Sequence, residues 1–243
     1  MKALEGKSAL ITGAARRIGR SLALALAEAG TDIAITWRES EREADETVKD
    51  LMALGVDAVA IHADVRSEPS VRVALDAALT RFGKLDLLIN NAGRFETAEH
   101  SQITVEQWDA MFETNTRGPF LMAKAAYPHL KKARGRIINI GSLGGMHPWS
   151  THAHYCTSKA ALHMLTQTLA KAFAPEISVN CVAPGMIVNG EVGNGYEHFL
   201  EKTPMKRNGT PQDVAAAVMF FATGPHFITG QILGVDGGLG LSS

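Results

Sequence analysis

Tyr155 and Lys159 stand four residues apart, with Ser142 upstream of them. If the segment from Ala153 onward is helical, as the apolar Ala160, Leu162, Leu165 and Leu169 predict, residues 155 and 159 share one face a turn apart. The phenol and the ammonium can then meet. A phenol titrates near pKa 10, roughly, so it exchanges protons poorly at neutral pH unless a cation favours the phenolate. Lys159 is the cation expected to lower it. A Ser142 hydroxyl that hydrogen-bonds a carbonyl or alkoxide oxygen completes a set suited to carbonyl reduction, provided hydride arrives from elsewhere. That proviso demands a cofactor. Tyr-x-x-x-Lys by itself also describes an ordinary solvated helix face, so its meaning rests on its surroundings.

The elements that must position these groups follow from an alternation of apolar runs of strand length with longer segments of helical period. Strands are predicted at 8–12, 32–37, 56–62, 85–90, 136–140, 178–182 and 231–235, and the first helices at 18–29, 41–53 and 68–82. Repeated strand-helix-strand units predict an α/β fold: a Rossmann-like, doubly wound parallel sheet, helices on both faces, ligands at the carboxyl ends of the strands. With 243 residues and no low-complexity linker, one domain spanning 1–243 is expected. The irregular segment 187–206, rich in glycine, follows a predicted strand at the ligand-bearing edge; it is a candidate substrate lid or a plain surface connection.

The first strand runs into Thr12-Gly13-Ala14-Ala15-Arg16-Arg17-Ile18-Gly19 and then a helix. Small residues there let backbone N–H groups approach a pyrophosphate, whose charge the helix N-terminus favours. Gly13, Arg16, Arg17, Ile18 and Gly19 are therefore candidate cofactor-binding residues, although the full G-x-G-x-x-G is absent. NAD enzymes usually carry an acidic residue at the end of the second strand, to accept from the ribose hydroxyls. Here Trp37-Arg38-Glu39-Ser40 occupies that place. Arg38, with Arg17 and the hydroxyl of Ser40, supplies donors for a 2'-phosphate, so NADP(H) is expected. Glu39 either opposes that phosphate or points into solvent, and the arginines could also be solvated surface charges.

A formal net charge of -1 without basic runs offers no footprint for nucleic acid. No stretch reaches the roughly 18 apolar residues of a membrane span, and the first residues lack a secretory pattern. A cytoplasmic location is expected. Cys156 and Cys181 are isolated, predicted reduced and structural, with Cys156 accessible beside the tyrosine.

Taken together, these residues resemble the short-chain dehydrogenase/reductase family over essentially the whole chain. The matching positions are the 12–19 loop, Asp64-Val65, Asn90-Asn91-Ala92-Gly93, Asn115, Ser142, Tyr155, Lys159, Pro184-Gly185 and Asp236-Gly237-Gly238. The resemblance implies that Asp64 accepts from the adenine amino group with Val65 beside the ring, and that Asn91, Ala92 and Gly93 let cofactor and strand pack closely. It implies that Asn115, in the helix after the fourth strand, holds a water in a proton relay to Lys159, which also binds the nicotinamide ribose. Tyr155 becomes the general acid for reduction, and the backbone of Ile187, after Pro184 and Gly185, the partner of the carboxamide. Asn189 stands where many relatives have threonine. Bland alternatives exist for single positions: Asp64 as a helix N-cap, the Asn-Asn-Ala-Gly run as a turn, Asn115 as a satisfied helix residue. Arg17 replaces the middle glycine of the family loop, and Ala-Ala-Arg-Arg-Ile-Gly resembles the loop of pteridine reductases, which commonly carry aspartate at the place of Ser142.

Residues 143–152, with Arg94, Phe95, Trp149, His154 and segment 187–206, are expected to wall a pocket for a small-molecule carbonyl substrate. His147, His152 and His154 lack the further spaced ligands a metal needs, so no metal is expected. Helices around 108–133 and 153–173 carry more apolar residues than one core face requires. In the family resembled such helices form subunit interfaces, which implies a homodimer or homotetramer. Pterin reduction and turnover-free dinucleotide sensing are the competing functions.

Overall fold

In the computed structural model, which describes residues 2–188 and 197–241, seven parallel strands form one sheet. They are β1 (Ser8–Ile11), β2 (Asp32–Trp37), β3 (Ala58–His62), β4 (Leu87–Asn90), β5 (Arg136–Ile140), β6 (Ser178–Pro184) and β7 (Ile232–Val235). Their order is β3-β2-β1-β4-β5-β6-β7. The chain order reverses between β1 and β4, and the crevice above that reversal is where a doubly wound sheet binds ligands.

Strands buried on both faces read as apolar runs, and β1, β4 and β6 are buried along their whole length. One face is covered by α1 (Arg17–Glu28), α2 (Glu41–Ala53) and α8 (Pro211–Thr223), whose Leu22, Leu26, Leu51, Val214 and Val218 pack on Ile11, Ile35 and Ile89. On the other, α3 (Glu68–Phe82), α5 (Gly118–Ala133) and α6 (Ala153–Phe173) bring Val71, Met122, Ala126 and Leu169 against Leu10, Leu88 and Val179. The short α4 (Val105–Phe112) and α7 (Glu197–Lys202) complete the α-helices among the described residues.

Local chemistry sets the helix starts. Ser67 accepts the N–H of Ser70 to begin α3, which ends at Gly83 with φ +72°. Thr104 and Gln107 form a reciprocal capping box on α4, and Thr210 and Asp213 form one on α8. Asp64 therefore caps no helix. Residues Glu113–Arg117 between α4 and α5 are wound more widely, as a π-helical segment, and contain Asn115. This differs from the plain helix predicted there, because periodicity does not register one extra residue in a turn.

The turn leaving β1 is held by close backbone approach. Nδ2 of Asn91 donates to the carbonyls of Thr12 and Gly13, at 2.9 Å each, and a Cβ on Gly19 would stand 2.6 Å from both that nitrogen and the Gly13 oxygen. Gly19→Ala should displace the Asn91 amide and lower stability by about 1–3 kcal/mol. Urea denaturation measures this, and an unchanged midpoint would contradict it.

Candidate functional site

The carboxyl ends of the strands open into one cleft of about 990 Å³. Its walls include Gly13, Arg16, Arg17, Ile18 and Gly19 from the β1–α1 turn, Arg38 and Ser40 after β2, and Asp64 and Val65 after β3. Asn91, Ala92 and Gly93 follow from the end of β4, Ser142 from β5, Tyr155 and Lys159 from α6, and Pro184, Gly185 and Ile187 from the end of β6. Asn115 alone among the catalytic and cofactor-binding candidates does not line the cleft; it is wholly buried behind it.

Ser142 sits in extended backbone just beyond β5, and its hydroxyl accepts the N–H of Gly144 at 3.1 Å. That leaves its own proton free to donate. Phe95 lies edge-on to the Tyr155 ring at 4.9 Å, and Trp149 stacks against it at 6.0 Å. Burial raises the pKa of the Tyr155 phenol above its usual value, opposed by a hydrogen bond with the Ser142 hydroxyl. Lys159 is buried, and its ammonium donates to the carbonyl of Ile140 at 2.8 Å. Desolvation pulls its pKa down to about 8. Loss of solvent, rather than the lysine expected from sequence, thus sets the direction of the phenol's pKa, and Nζ is committed to the end of β5.

Asn115 works as a brace. Its Oδ1 accepts from the N–H of Arg94 at 2.8 Å, and its Nδ2 donates to the carbonyl of Arg94 at 2.9 Å and to Oγ of Ser158 at 3.0 Å. It fixes the chain leaving β4 to the helix bearing Tyr155 and Lys159.

At the other end, Arg17 adopts the left-handed conformation, φ 52°, where a glycine would be at ease. Its guanidinium is exposed and makes no ion pair among the described residues. Arg38 is engaged by Glu39, with Nε donating at 3.0 Å, and Arg16 stands 4.0 Å from Glu43. Asp64 accepts from Nε of Arg66 at 2.9 Å, and this ion pair lowers its pKa. Ile187 forms an isolated parallel bridge with Gly209, in which Met186 and Val188 make the hydrogen bonds. The N–H and carbonyl of Ile187 are left facing away from that bridge.

These residues fit a dinucleotide. A helix N-terminus, a glycine whose missing side chain admits backbone contact, and an unpaired guanidinium stand at one end of a cleft whose other end holds Ser142, Tyr155 and Lys159.

Arg94, Phe95 and, of residues 143–152, Trp149 line the cleft as expected, whereas the rest of that run and His154 do not. His154 is wholly buried in the first turn of α6, 4.0 Å from Glu96. His152 stacks on Phe95 at 4.9 Å and bonds with Thr97 and Thr151. Among the described residues no group of three or more His, Cys, Asp or Glu could hold a metal. Cys156 is buried rather than accessible. Asn189, with the rest of the 189–196 stretch of the candidate lid, lies outside the described residues. Trp37, Thr114, Met186 and Pro211 also line the cleft without having been singled out from the sequence, while Val188 falls in the segment 187–206 expected to wall it. Trp37 could have been found as the last residue of a strand whose end faces the ligand.

A family model described as Enoyl-(Acyl carrier protein) reductase matches residues 13–240. The chain is 38% identical over 244 residues to a 3-oxoacyl-[acyl-carrier-protein] reductase of Synechocystis sp., covering 98% of this chain and 99% of that protein. It is 35% identical over 251 residues to glucose 1-dehydrogenase 2 of Bacillus subtilis, covering 99% and 97%. Among solved structures, a short chain dehydrogenase from Burkholderia cenocepacia in complex with NADP has a TM-score of 0.92 at 38% identity, covering 98% of this chain and 99% of that one. On the family match and these full-length likenesses, the chain belongs to the short-chain dehydrogenase/reductase family of oxidoreductases.

Proposed function

We propose that this protein is an NADPH-dependent reductase that converts a carbonyl to an alcohol, acting in the cytoplasm as a single catalytic domain. The observation that carries the reading is the opening of Ser142, Tyr155 and Lys159 into one cleft with the unpaired Arg17 at its far end. The 3-oxoacyl reductase among its relatives and the NADP-bound neighbour support it.

When bound, the nicotinamide cofactor supplies the hydride. Ser142 donates its hydroxyl proton in a hydrogen bond to the carbonyl oxygen and holds the carbon in place. Tyr155 keeps its proton at neutral pH because burial disfavours the phenolate, and it gives that proton to the oxygen as negative charge develops. Lys159 stays charged below pH about 8 and offsets the phenolate so formed. The point where a Cβ would stand on Gly93 is 3.5 Å from Oδ1 of Asn115 and 3.6 Å from Nζ of Lys159. A relay water beside Gly93, within reach of both groups, would return the proton through Lys159. The free backbone groups of Ile187 suit the carboxamide, and Asp64 retains lone pairs for the adenine amino group while paired with Arg66.

For the 2'-phosphate we assign Arg17 and Arg38, with Ser40 beside them. Arg38 must then leave Glu39. Arg17→Gly relieves a left-handed backbone, yet should weaken NADPH binding by about 1.5–3 kcal/mol while leaving NADH nearly unchanged. Glu39→Gln should tighten NADPH. Titration calorimetry with both cofactors tests this, and equal losses for the two would contradict the assignment.

The activity is tested by following NADPH oxidation against ketones, diketones, acyl thioesters and dihydropterin. Turnover of a carbonyl is expected, with Tyr155→Phe slower by at least about a hundredfold. The kcat/KM for reduction should fall as pH rises past about 8, because the depressed Lys159 pKa means the ammonium is present below that value and lost above it. Turnover of dihydropterin alone would mark C=N reduction, and NADPH binding without turnover a sensor.

The exposed Trp108, Phe120 and Met164 on α4, α5 and α6 support assembly through this face. A groove of about 570 Å³ beside them includes Phe112, Phe120 and Leu165 in its walls. A dimer or tetramer is expected in sedimentation at micromolar concentration, and a monomer would contradict it.

A further inference from the structure

Tyr155 and Lys159 begin a row on α6 that continues, four residues on, with His163. Nothing in the chemistry above uses this side chain. It is nonetheless buried, 5% exposed, directly beneath the turn that carries Ser142.

The fit is close on both sides of the serine. A Cβ on Gly141 would stand 2.3 Å from Nε2 of the ring, and one on Gly145 would stand 2.6 Å from Cε1. The two glycines that bracket the turn therefore leave the space the imidazole occupies. The N–H of Ser142 itself donates to Nε2 at 3.5 Å, a long bond. If Nε2 accepts, the ring proton belongs on Nδ1, which faces the Gly145 backbone: a Cβ there would stand 2.9 Å from it. One neutral ring can thus tie the entry and the exit of the turn together. Burial and the Lys159 ammonium keep it neutral, with its pKa pulled down to about 4. Other bonds shape the turn from within: Gly144 donates to the Ser142 hydroxyl, and Gly145 donates to the Ser142 carbonyl at 3.0 Å. None of these ties the turn to α6. His163 does, on the same helix that places the phenol.

The geometry points to His163 as a positioning residue that sets Ser142 in register with Tyr155 and Lys159. The inference rests on the role given to Ser142 above. It divides the row on α6 into a proton donor, a cation and an anchor for the third reacting group.

Its experiment compares His163→Leu, of similar bulk without hydrogen bonds, with His163→Gln, which can both accept and donate. The Leu variant should lose about tenfold or more in kcat on the best carbonyl substrate, with the dissociation constant for NADPH unchanged. The Gln variant should recover to within about threefold of wild type. Amide hydrogen exchange should show Ser142 less protected in the Leu variant than in wild type. In the wild-type protein, nitrogen-15 spectra of the imidazole should show Nδ1 protonated and Nε2 bare. A Leu variant with wild-type kcat and wild-type Ser142 protection would overturn the inference, and so would the opposite tautomer. If wild type turns over no carbonyl, the reductase reading falls, while exchange and tautomer still decide whether His163 holds the turn. A Leu variant that does not fold leaves the tautomer and the Gln variant to decide.

Discussion

One hydrogen bond inside the protein organises the rest of the site: the Lys159 ammonium donating to the Ile140 carbonyl. A charged amine in an apolar interior is unfavourable unless it has a partner, and the last carbonyl of β5 supplies one. The contact joins the helix bearing the phenol to the strand that ends beside Ser142. Its burial has two effects of opposite use. It brings the amine's pKa down toward the working range, and it removes the solvent that would otherwise stabilise a phenolate on Tyr155. The site in this state is a store of protons rather than an ionised pair.

Around that bond the scaffold is braced by polar groups whose side chains are spent on backbone. Asn115 uses both ends of its carboxamide on Arg94 and Ser158, and Asn91 spans two carbonyls of the first turn. Deeper in the sheet, Asn90 donates to Asn139, which donates to Thr166 on α6, so that β4, β5 and the helix share one chain of hydrogen bonds. Positions that sequence reasoning reads as chemistry are here also structural members, because the cleft lies where strand ends and helix starts must be fastened without help from a continuous ladder.

The architecture was legible because strands buried on both faces leave unmistakable apolar runs, and the helices between them keep their period. Strand ends were less so. β6 continues to Pro184, two residues beyond the predicted run, because its partner β7 still pairs there, and β3 begins at Ala58 rather than at Val56. The cleft residues were legible where glycine, asparagine or tyrosine recurs at fixed spacing. His163 was not, since one histidine on a helix face looks like any other until the two glycines opposite it are seen. Nor could spacing show that Lys159 turns toward a carbonyl, or that His154 is swallowed by the core beside Glu96. Both depend on contacts between segments far apart in the chain.

The mouth of the cleft is lined by charges that mostly cancel. Glu39 neutralises Arg38, Asp64 neutralises Arg66, and Glu43 sits across from Arg16, which leaves Arg17 as the uncompensated cation of that rim among the described residues. Paired ions cast short fields, and at ordinary ionic strength little of them survives beyond about 10 Å. A polyanionic visitor is therefore not steered in from afar. It arrives by diffusion, and on the proposed reading discrimination between ligands that differ by one phosphate would be made only on contact.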